Sequence, residues 1–294
     1  MRLFCVLLVL LSGFCFGQKE PFYVGRVVAK PNGEFYLITK FYEAVDRWVA
    51  FEGDSTYMVG FIYIDEEAGF TFRFEAMYLK TKDGLKRKPN KLELDDAVVV
   101  HRLGENTRDV IMFLDEQIEE LGLPKVPEWL HIYKKNENKN SYLVKMGYFY
   151  NHVGASHKAI EPLLKVYNKE PHLDGVEFEL AYAYNATGYF EKAIEVLDRA
   201  IKNDPKNFFF YKELGFSLLR QNKLDDAEKI YIKGIELSTE KEFLAEMAYN
   251  MTYHYFAAKN KPKFEKWANL TKQYAKKNSE IYRRIDLFEE NWNE

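Results

Sequence analysis

Small and large apolar side chains return at a fixed period of 34 residues in the second half of the chain. Three columns carry the period: Ala159, Ala193 and Ala227; Gly147, Ala181 and Gly215; Leu163, Leu197 and Tyr231. Within each period, apolar residues are spaced by three and four, which predicts amphipathic helices. A fixed period of this length is typical of a solenoid, in which each unit buries its apolar face against the next.

Breaks occur at equivalent places in each period, at Gly154, Gly188 and Asn222. Glycine and asparagine best tolerate the left-handed backbone that often ends a helix. Pro171 and Pro205 close two of the units, because proline cannot continue a helix. We therefore predict three pairs of antiparallel helices within residues 140–239, and the small columns allow the two helices of each pair to approach closely.

This pattern resembles the tetratricopeptide repeat. The family's small positions match the alanine and glycine columns, its tyrosine is matched by Tyr150 and Tyr184, and its closing proline by Pro171 and Pro205. The third unit departs at Leu218 and lacks the proline. The resemblance implies a scaffold that binds extended peptides or helices in a concave groove, lined by the first helix of each unit.

The position that the family uses within its groove is aromatic in all three units: Tyr148, Tyr182 and Phe216. The lysine and asparagine or arginine of the family's carboxylate clamp are absent except for Lys212. The candidate partner-binding residues are Tyr148, Asn151, Phe178, Tyr182, Asn185, Lys212, Phe216 and Arg220. Two interpretations remain open: the aromatic row is a contact surface for a protein, or it extends the core beneath a lead-in helix.

Residues 240–294 keep a helical pattern but lose the phase of the repeat. We predict helices over 242–258 and 263–276 as a divergent fourth pair, and a cap helix over 279–288. Terminal units of a solenoid are expected to be atypical, because one of their faces meets water.

Residues 18–123 lack the 34-residue period, and we predict that they form a small β-rich domain with one helix. Phe70, Phe72 and Phe74 alternate with polar residues, which predicts a half-buried strand. Further strands are predicted over 22–29, 34–39, 56–64 and 92–101, whereas residues 42–51 fit either a strand or a helix. The helix is predicted from Asn106 or Thr107 to Leu121, with Gly122 after its end. Residues 124–139 are predicted to hold a linker and a lead-in helix.

The first 17 residues are typical of a signal peptide, with Arg2 before an apolar run and small residues before Gln18. The apolar run is too short to span a membrane comfortably. Both cysteines, Cys5 and Cys15, lie in this segment, so the predicted mature chain has no disulfide and no thiolate metal site. We expect export to the periplasm or the extracellular space of a bacterium.

Composition and motifs exclude several functions. The formal net charge is −3, whereas a general nucleic-acid binder carries a basic face. No later run is apolar enough for membrane insertion. Phosphate-binding loops, nucleophile elbows and zinc-binding helix motifs are absent from the sequence. His152 and His157 flank a helix break and suit a surface position. We therefore expect no catalytic residues, no cofactor and no metal.

The sequence thus predicts an α+β protein of two domains: a small, mostly antiparallel β domain followed by an all-α tetratricopeptide-type solenoid. Our leading hypothesis is an exported, non-enzymatic scaffold that binds a protein or peptide in the concave groove. The alternative is that the β domain binds or hydrolyses a small molecule or glycan, and that the repeats position it. A deep polar pocket in the β domain would favour the alternative, and a filled sheet the scaffold.

Export makes a prediction for the mature chain. Because the best cleavage site follows Gly17, the protein in its native envelope should begin at Gln18 and contain no cysteine. Intact mass spectrometry of protein purified from that envelope checks this. A mass that retains residues 1–17, or that includes a lipid on Cys15, contradicts it.

Overall fold

The computed structural model describes residues 25–29, 35–81, 84–89 and 98–292. The predicted signal peptide lies outside these residues. The chain divides into two compact units, residues 1–155 and 156–294. Antiparallel strands precede a series of helices, which confirms the predicted α+β fold class.

The first unit contains an antiparallel sheet, in which eight strands are described. In chain order these are β1 Arg26–Ala29, β2 Phe35–Thr39, β3 Arg47–Glu52, β4 Thr56–Asp65, β5 Gly69–Thr81, β6 Gly84–Arg87, β7 Val100–Arg102 and β8 Val110–Met112. The spatial order is β1-β2-β8-β3-β4-β5-β6, and β7 also pairs with β5. The ambiguous segment 42–51 resolves into a 3₁₀ turn, Phe41–Glu43, followed by β3.

A β-bulge in the hairpin of β4 and β5 reverses the faces of β5. Gly60 lies opposite Phe74, whereas the preceding Val59 lies opposite Ala76, so Glu75 has no partner in the register. A one-residue shift moves the following side chains to the other face of a sheet. As predicted, Phe70 and Phe72 are buried. Thr71 is also buried, contrary to the half-buried pattern, because side chains cover both faces of the sheet.

Aromatic side chains cover each face. On one face, the ring of Trp129 lies 5.8 Å from that of Phe61 and 5.2 Å from that of Tyr63. Trp129 belongs to a 3₁₀ turn, Glu128–Ile132, within the segment expected to hold the linker and lead-in helix. On the other face, the ring of Tyr150 lies 5.2 Å from that of Phe70. The segments that follow the sheet therefore complete its core.

The prediction of a helix from residue 106 or 107 to 121 is wrong for the first half of that segment. Val110 and Ile111 belong to β8, which lies between β2 and β3, and α1 covers only Asp115–Glu120. The end was predicted correctly, since Gly122 follows with a φ of 67°. Apolar residues at helical spacing can also suit a buried central strand, where two neighbouring strands supply hydrogen bonds that a local pattern does not reveal.

Helices make up the rest of the described chain. The first unit ends with α2 Asn140–His152, and the second contains α3 Ser156–Tyr167, α4 Val176–Ala186, α5 Phe190–Asn203, α6 Phe208–Arg220, α7 Leu224–Leu237, α8 Lys241–Ala257, α9 Lys261–Tyr274 and α10 Glu280–Glu290. The predicted breaks are confirmed, since φ is 76° at Gly154, 81° at Gly188 and 60° at Asn222. The helices predicted over 242–258, 263–276 and 279–288 correspond to α8, α9 and α10.

Small residues permit the close helix crossings of the second unit. A methyl group added at Gly215 on α6 would lie 2.3 Å from the ring of Tyr231 on α7, and one at Gly234 would lie 2.9 Å from Met247 Sδ on α8. Tyr231 is fully buried. The column that contains Gly215 therefore has the steric role that the sequence predicts.

A polar cluster around Glu228 links α7 to the fourth helix pair. The Glu228 carboxylate accepts hydrogen bonds from Tyr255 on α8 at 2.8 Å, and from Lys263 and Trp267 on α9 at 2.9 Å each. Burial alone would raise the pKa of Glu228, but these hydrogen bonds outweigh it and lower the pKa to about 2.

The contact of Gly215 with Tyr231 makes a stability prediction. Gly215→Ala would favour the helix by about 1 kcal/mol through propensity alone, but overpacking costs about 1–3 kcal/mol. We expect net destabilisation in chemical unfolding of the full-length protein. In the preceding pair, Ala181 and Leu197 occupy the same columns, so Tyr231→Leu should relieve the clash. Additive effects of Gly215→Ala and Tyr231→Leu would contradict this contact.

The lowered pKa of Glu228 predicts a loss of stability in acid. Because its folded pKa of about 2 lies below the ordinary 4.5, its contribution is present above pH 4.5 and is lost as the pH falls towards 2. We expect Glu228→Gln to remove roughly 2–3 kcal/mol of this pH dependence. Urea unfolding between pH 7 and 2 measures it, with Asp226→Asn, at an exposed ion pair with Lys229, as the control. Equal acid sensitivity of wild type and Glu228→Gln would rule out the cluster as its source.

Candidate partner-binding surface

Aromatic side chains occupy the same repeat slot on α4 and α6, and they remain exposed to solvent. Tyr182 is 38% exposed and Phe216 is 37% exposed. Their neighbours Ala181 and Ala183 on α4, and Ser217 on α6, are buried. Burial of the small neighbours fixes each helix, so that the aromatic side chains face outwards.

Tyr182 and Phe216 line one depression of about 190 Å³. Its walls come from three helices: Tyr182, Asn185 and Ala186 of α4, Lys212, Glu213 and Phe216 of α6, and Glu246 and Asn250 of α8. We call it the aromatic depression. Four of the residues predicted from the sequence therefore lie together: Tyr182, Asn185, Lys212 and Phe216.

Asn185 braces α4 against α6. Its Nδ2 donates hydrogen bonds to Glu213 Oε2 at 2.9 Å and to the Glu213 carbonyl at 3.2 Å. Its Oδ1 accepts one from Ser217 Oγ at 2.7 Å. The residue is only 6% exposed. Asn185 thus holds the floor of the depression, and its amide is already engaged within the protein.

Lys212 lies between two carboxylates. Its Nζ is 3.0 Å from Glu213 Oε1 and 3.1 Å from Glu246 Oε1, and its side chain is 15% exposed. Burial alone would lower the pKa of Lys212, but the two glutamates outweigh it and raise the pKa above its ordinary value. Lys212 therefore stays protonated at neutral pH and holds Glu213 and Glu246 together.

Arg220 and Phe216 both contact Phe190 of α5. The Phe190 ring lies 6.4 Å from the ring of Phe216, and the guanidinium of Arg220 lies over it at 5.4 Å. Arg220 does not line the aromatic depression. Its cation–π contact places an exposed positive charge beside the aromatic wall.

The second depression, of about 280 Å³, lies where the loops before α4 and α6 meet. Its lining combines carboxylates with phenylalanine rings and includes His172, Asp174, Glu177, Phe178, Asn203, Asp204, Asn207, Phe209 and Phe210. We call it the acidic depression. Of the predicted residues only Phe178 belongs to it. The others were missed, because they come from loops and helix ends that meet when the helix pairs stack.

Tyr148 and Asn151 belong to α2 in the first unit. Tyr148 is 47% exposed and stacks on His152, with 5.8 Å between the rings. Asn151 is 6% exposed. The adjacent Phe149 packs against Gly69 of the sheet, where an added methyl group would lie 3.1 Å from its ring.

The part of the chain that the structure describes contains no group of three or more histidine, cysteine, aspartate or glutamate side chains placed to hold a metal ion. Within the same residues, no helix combines the length and apolar character needed to cross a membrane.

Paired helices, small residues at their crossings and left-handed breaks define the second unit as a helical repeat scaffold. Residues 174–217 match the family model of the tetratricopeptide repeat. This match covers α4, α5 and the first part of α6, and it agrees with the helical-repeat fold of the second unit.

Comparison with solved structures found a tetratricopeptide repeat protein and the protein MamA. A thermophilic protein of this class from Thermus thermophilus is 18% identical, with 54% of this chain and 86% of that chain covered and a TM-score of 0.45. The protein MamA is 19% identical, with coverages of 60% and 99% and a TM-score of 0.43. MamA from Desulfovibrio magneticus RS-1 is 15% identical, with coverages of 61% and 93% and a TM-score of 0.41. Comparison with curated proteins gave no match.

Proposed function

We propose that this protein is an exported, non-enzymatic scaffold that binds a segment of a partner protein or peptide across α4, α6 and α8. The observation that carries the proposal is the exposure of Tyr182 and Phe216 in one depression. Rigid aromatic side chains that are half exposed lose little conformational entropy on binding and bury a large apolar area.

The floor beneath these rings is preorganised for binding. Asn185, Ser217 and Glu213 are hydrogen-bonded to one another. Lys212 joins Glu213 to Glu246, and so ties α6 to α8. A surface whose polar groups are already fixed orders fewer side chains when a partner docks, which favours affinity.

The sheet of the first unit suits a supporting or contact role. Phe61 and Tyr63 on one face, and Phe70 and Phe72 on the other, are all buried. No observation on the described residues favours the alternative in which the sheet binds or hydrolyses a small molecule or glycan. We accordingly propose no cofactor and no catalytic residue.

Loss of an aromatic anchor should weaken binding without unfolding the protein. Truncation of a true anchor costs at least about 2 kcal/mol, or roughly thirtyfold in affinity. We expect Tyr182→Ala and Phe216→Ala to have this effect on the partner that co-purifies with the full-length protein from its native host. Affinity is measured by titration with the purified partner, and thermal melting is followed for each variant.

Ile232→Ala is the matched control, because Ile232 is 40% exposed on α7 and lines neither depression. It should leave the affinity unchanged. A large fall in melting temperature for Tyr182→Ala, with unchanged affinity below the melt, would contradict the proposal. Tyr182 would then be a core residue, and the partner would bind at another surface.

A further inference from the structure

The aromatic and acidic depressions adjoin each other along α4. Phe178 lines the acidic depression and Tyr182 lines the aromatic one. These two residues are one helical turn apart, and their ring centroids are separated by 6.4 Å. Phe178 also contacts Phe209 of α6, at 5.6 Å between centroids. A single extended or helical segment can therefore reach both depressions.

Negative charge predominates over this combined surface. Its carboxylates are those of Asp174, Glu177, Asp204, Glu213 and Glu246. Among the described residues that line the two depressions, Lys212 is the one lysine and none is arginine. Lys212 already pairs with Glu213 and Glu246. The carboxylates of the acidic depression form no ion pair with a lysine or arginine of the described chain.

Glu177 is the most informative of these acids. Its side chain is only 6% exposed, and Oε1 lies 3.0 Å from Nδ1 of His172. Oε2 accepts no hydrogen bond from the described residues, yet Glu177 lines the cavity. Burial raises the pKa of Glu177, although the contact with His172 opposes this. The Glu177 carboxylate is thus largely withdrawn from water with His172 as its partner, and a cationic ligand in the cavity would stabilise its charged form.

We infer that the partner segment presents an arginine or lysine side chain to the acidic depression, next to an apolar residue in the aromatic depression. This inference rests on the proposed function, because it names the chemistry of the segment that the same surface binds. A guanidinium fits the lining particularly well, since it can pair with the carboxylates of Glu177 and Asp204 while it stacks on Phe178 or Phe209.

An anionic ligand fits this cavity less well. The N-terminal ends of α4 and α6 border it and would attract a negative group. Asp174 and Glu177 already lie at the start of α4, and Asp204 lies just before α6. Another anion would meet three carboxylates at short range, and like charges repel.

Selection of peptides from a random displayed library on the full-length protein tests the inference. We expect the wild type to enrich peptides with arginine or lysine close to an aromatic or aliphatic residue. Glu177→Gln and Asp204→Asn should lose the preference for the cation and keep that for the apolar residue. In solution, changing the arginine of the best peptide to the neutral isostere citrulline should weaken binding at least about tenfold.

Two controls separate the possible outcomes. Glu236→Gln removes the same charge from an exposed ion pair with Lys233 outside both depressions, and it should bind as the wild type does. Thermal melts identify any unfolding of Glu177→Gln, and the exposed Asp204→Asn provides an independent variant. Enrichment of apolar peptides without a cation, or equal affinity for the citrulline peptide, overturns the inference and leaves the proposed function standing. Failure to enrich any peptide counts against both.

Discussion

The close approach of paired helices is the constraint on which the second unit depends. Gly215 leaves room for the buried ring of Tyr231, and Gly234 leaves room for Met247. These contacts require small residues at the helix crossings, because an interior at crystal-like density cannot absorb an added methyl group without movement. Tyr182 and Phe216, which adjoin buried small residues, consequently lie on the open face. The exposure of Tyr182 and Phe216 therefore follows from the packing of their small neighbours.

Much of the helical unit could be predicted from the sequence, because its contacts are local and repeated. Each break at Gly188 or Asn222 is set by the backbone preference of one residue. The sheet was harder to predict, since its strand order depends on pairings between segments that are distant in the sequence. The residues around Val110 do not indicate that its strand, β8, lies between β2 and β3. The bulge beside Gly60 likewise could not be predicted, because it is defined by the register between β4 and β5.

The candidate site also combines features that could be predicted from the sequence with features that could not. Tyr182 and Phe216 share a repeat slot, so their presence in one depression could be predicted from a period of 34 residues. The role of Asn185 could not, because its amide is engaged by Glu213 and Ser217 of the next unit. Most of the acidic depression was missed, since Phe178 is its one predicted residue. It brings together Glu177 at the start of α4 and Asp204 in the loop before α6, whose proximity is a product of stacking.

In the proposed complex, the two depressions would separate affinity from specificity. Apolar burial by Tyr182 and Phe216 is non-directional and would accept many side chains. The charge of Glu177 would discriminate by sign, because a wrong partner would bring no cation to the carboxylate or would bring a second anion beside it. Folding holds Glu177 in this position at some cost in stability, since the carboxylate is desolvated before any partner arrives. In the proposed complex, a partner cation would offset that cost, so the burial that weakens the free protein would strengthen its preference for cationic partners.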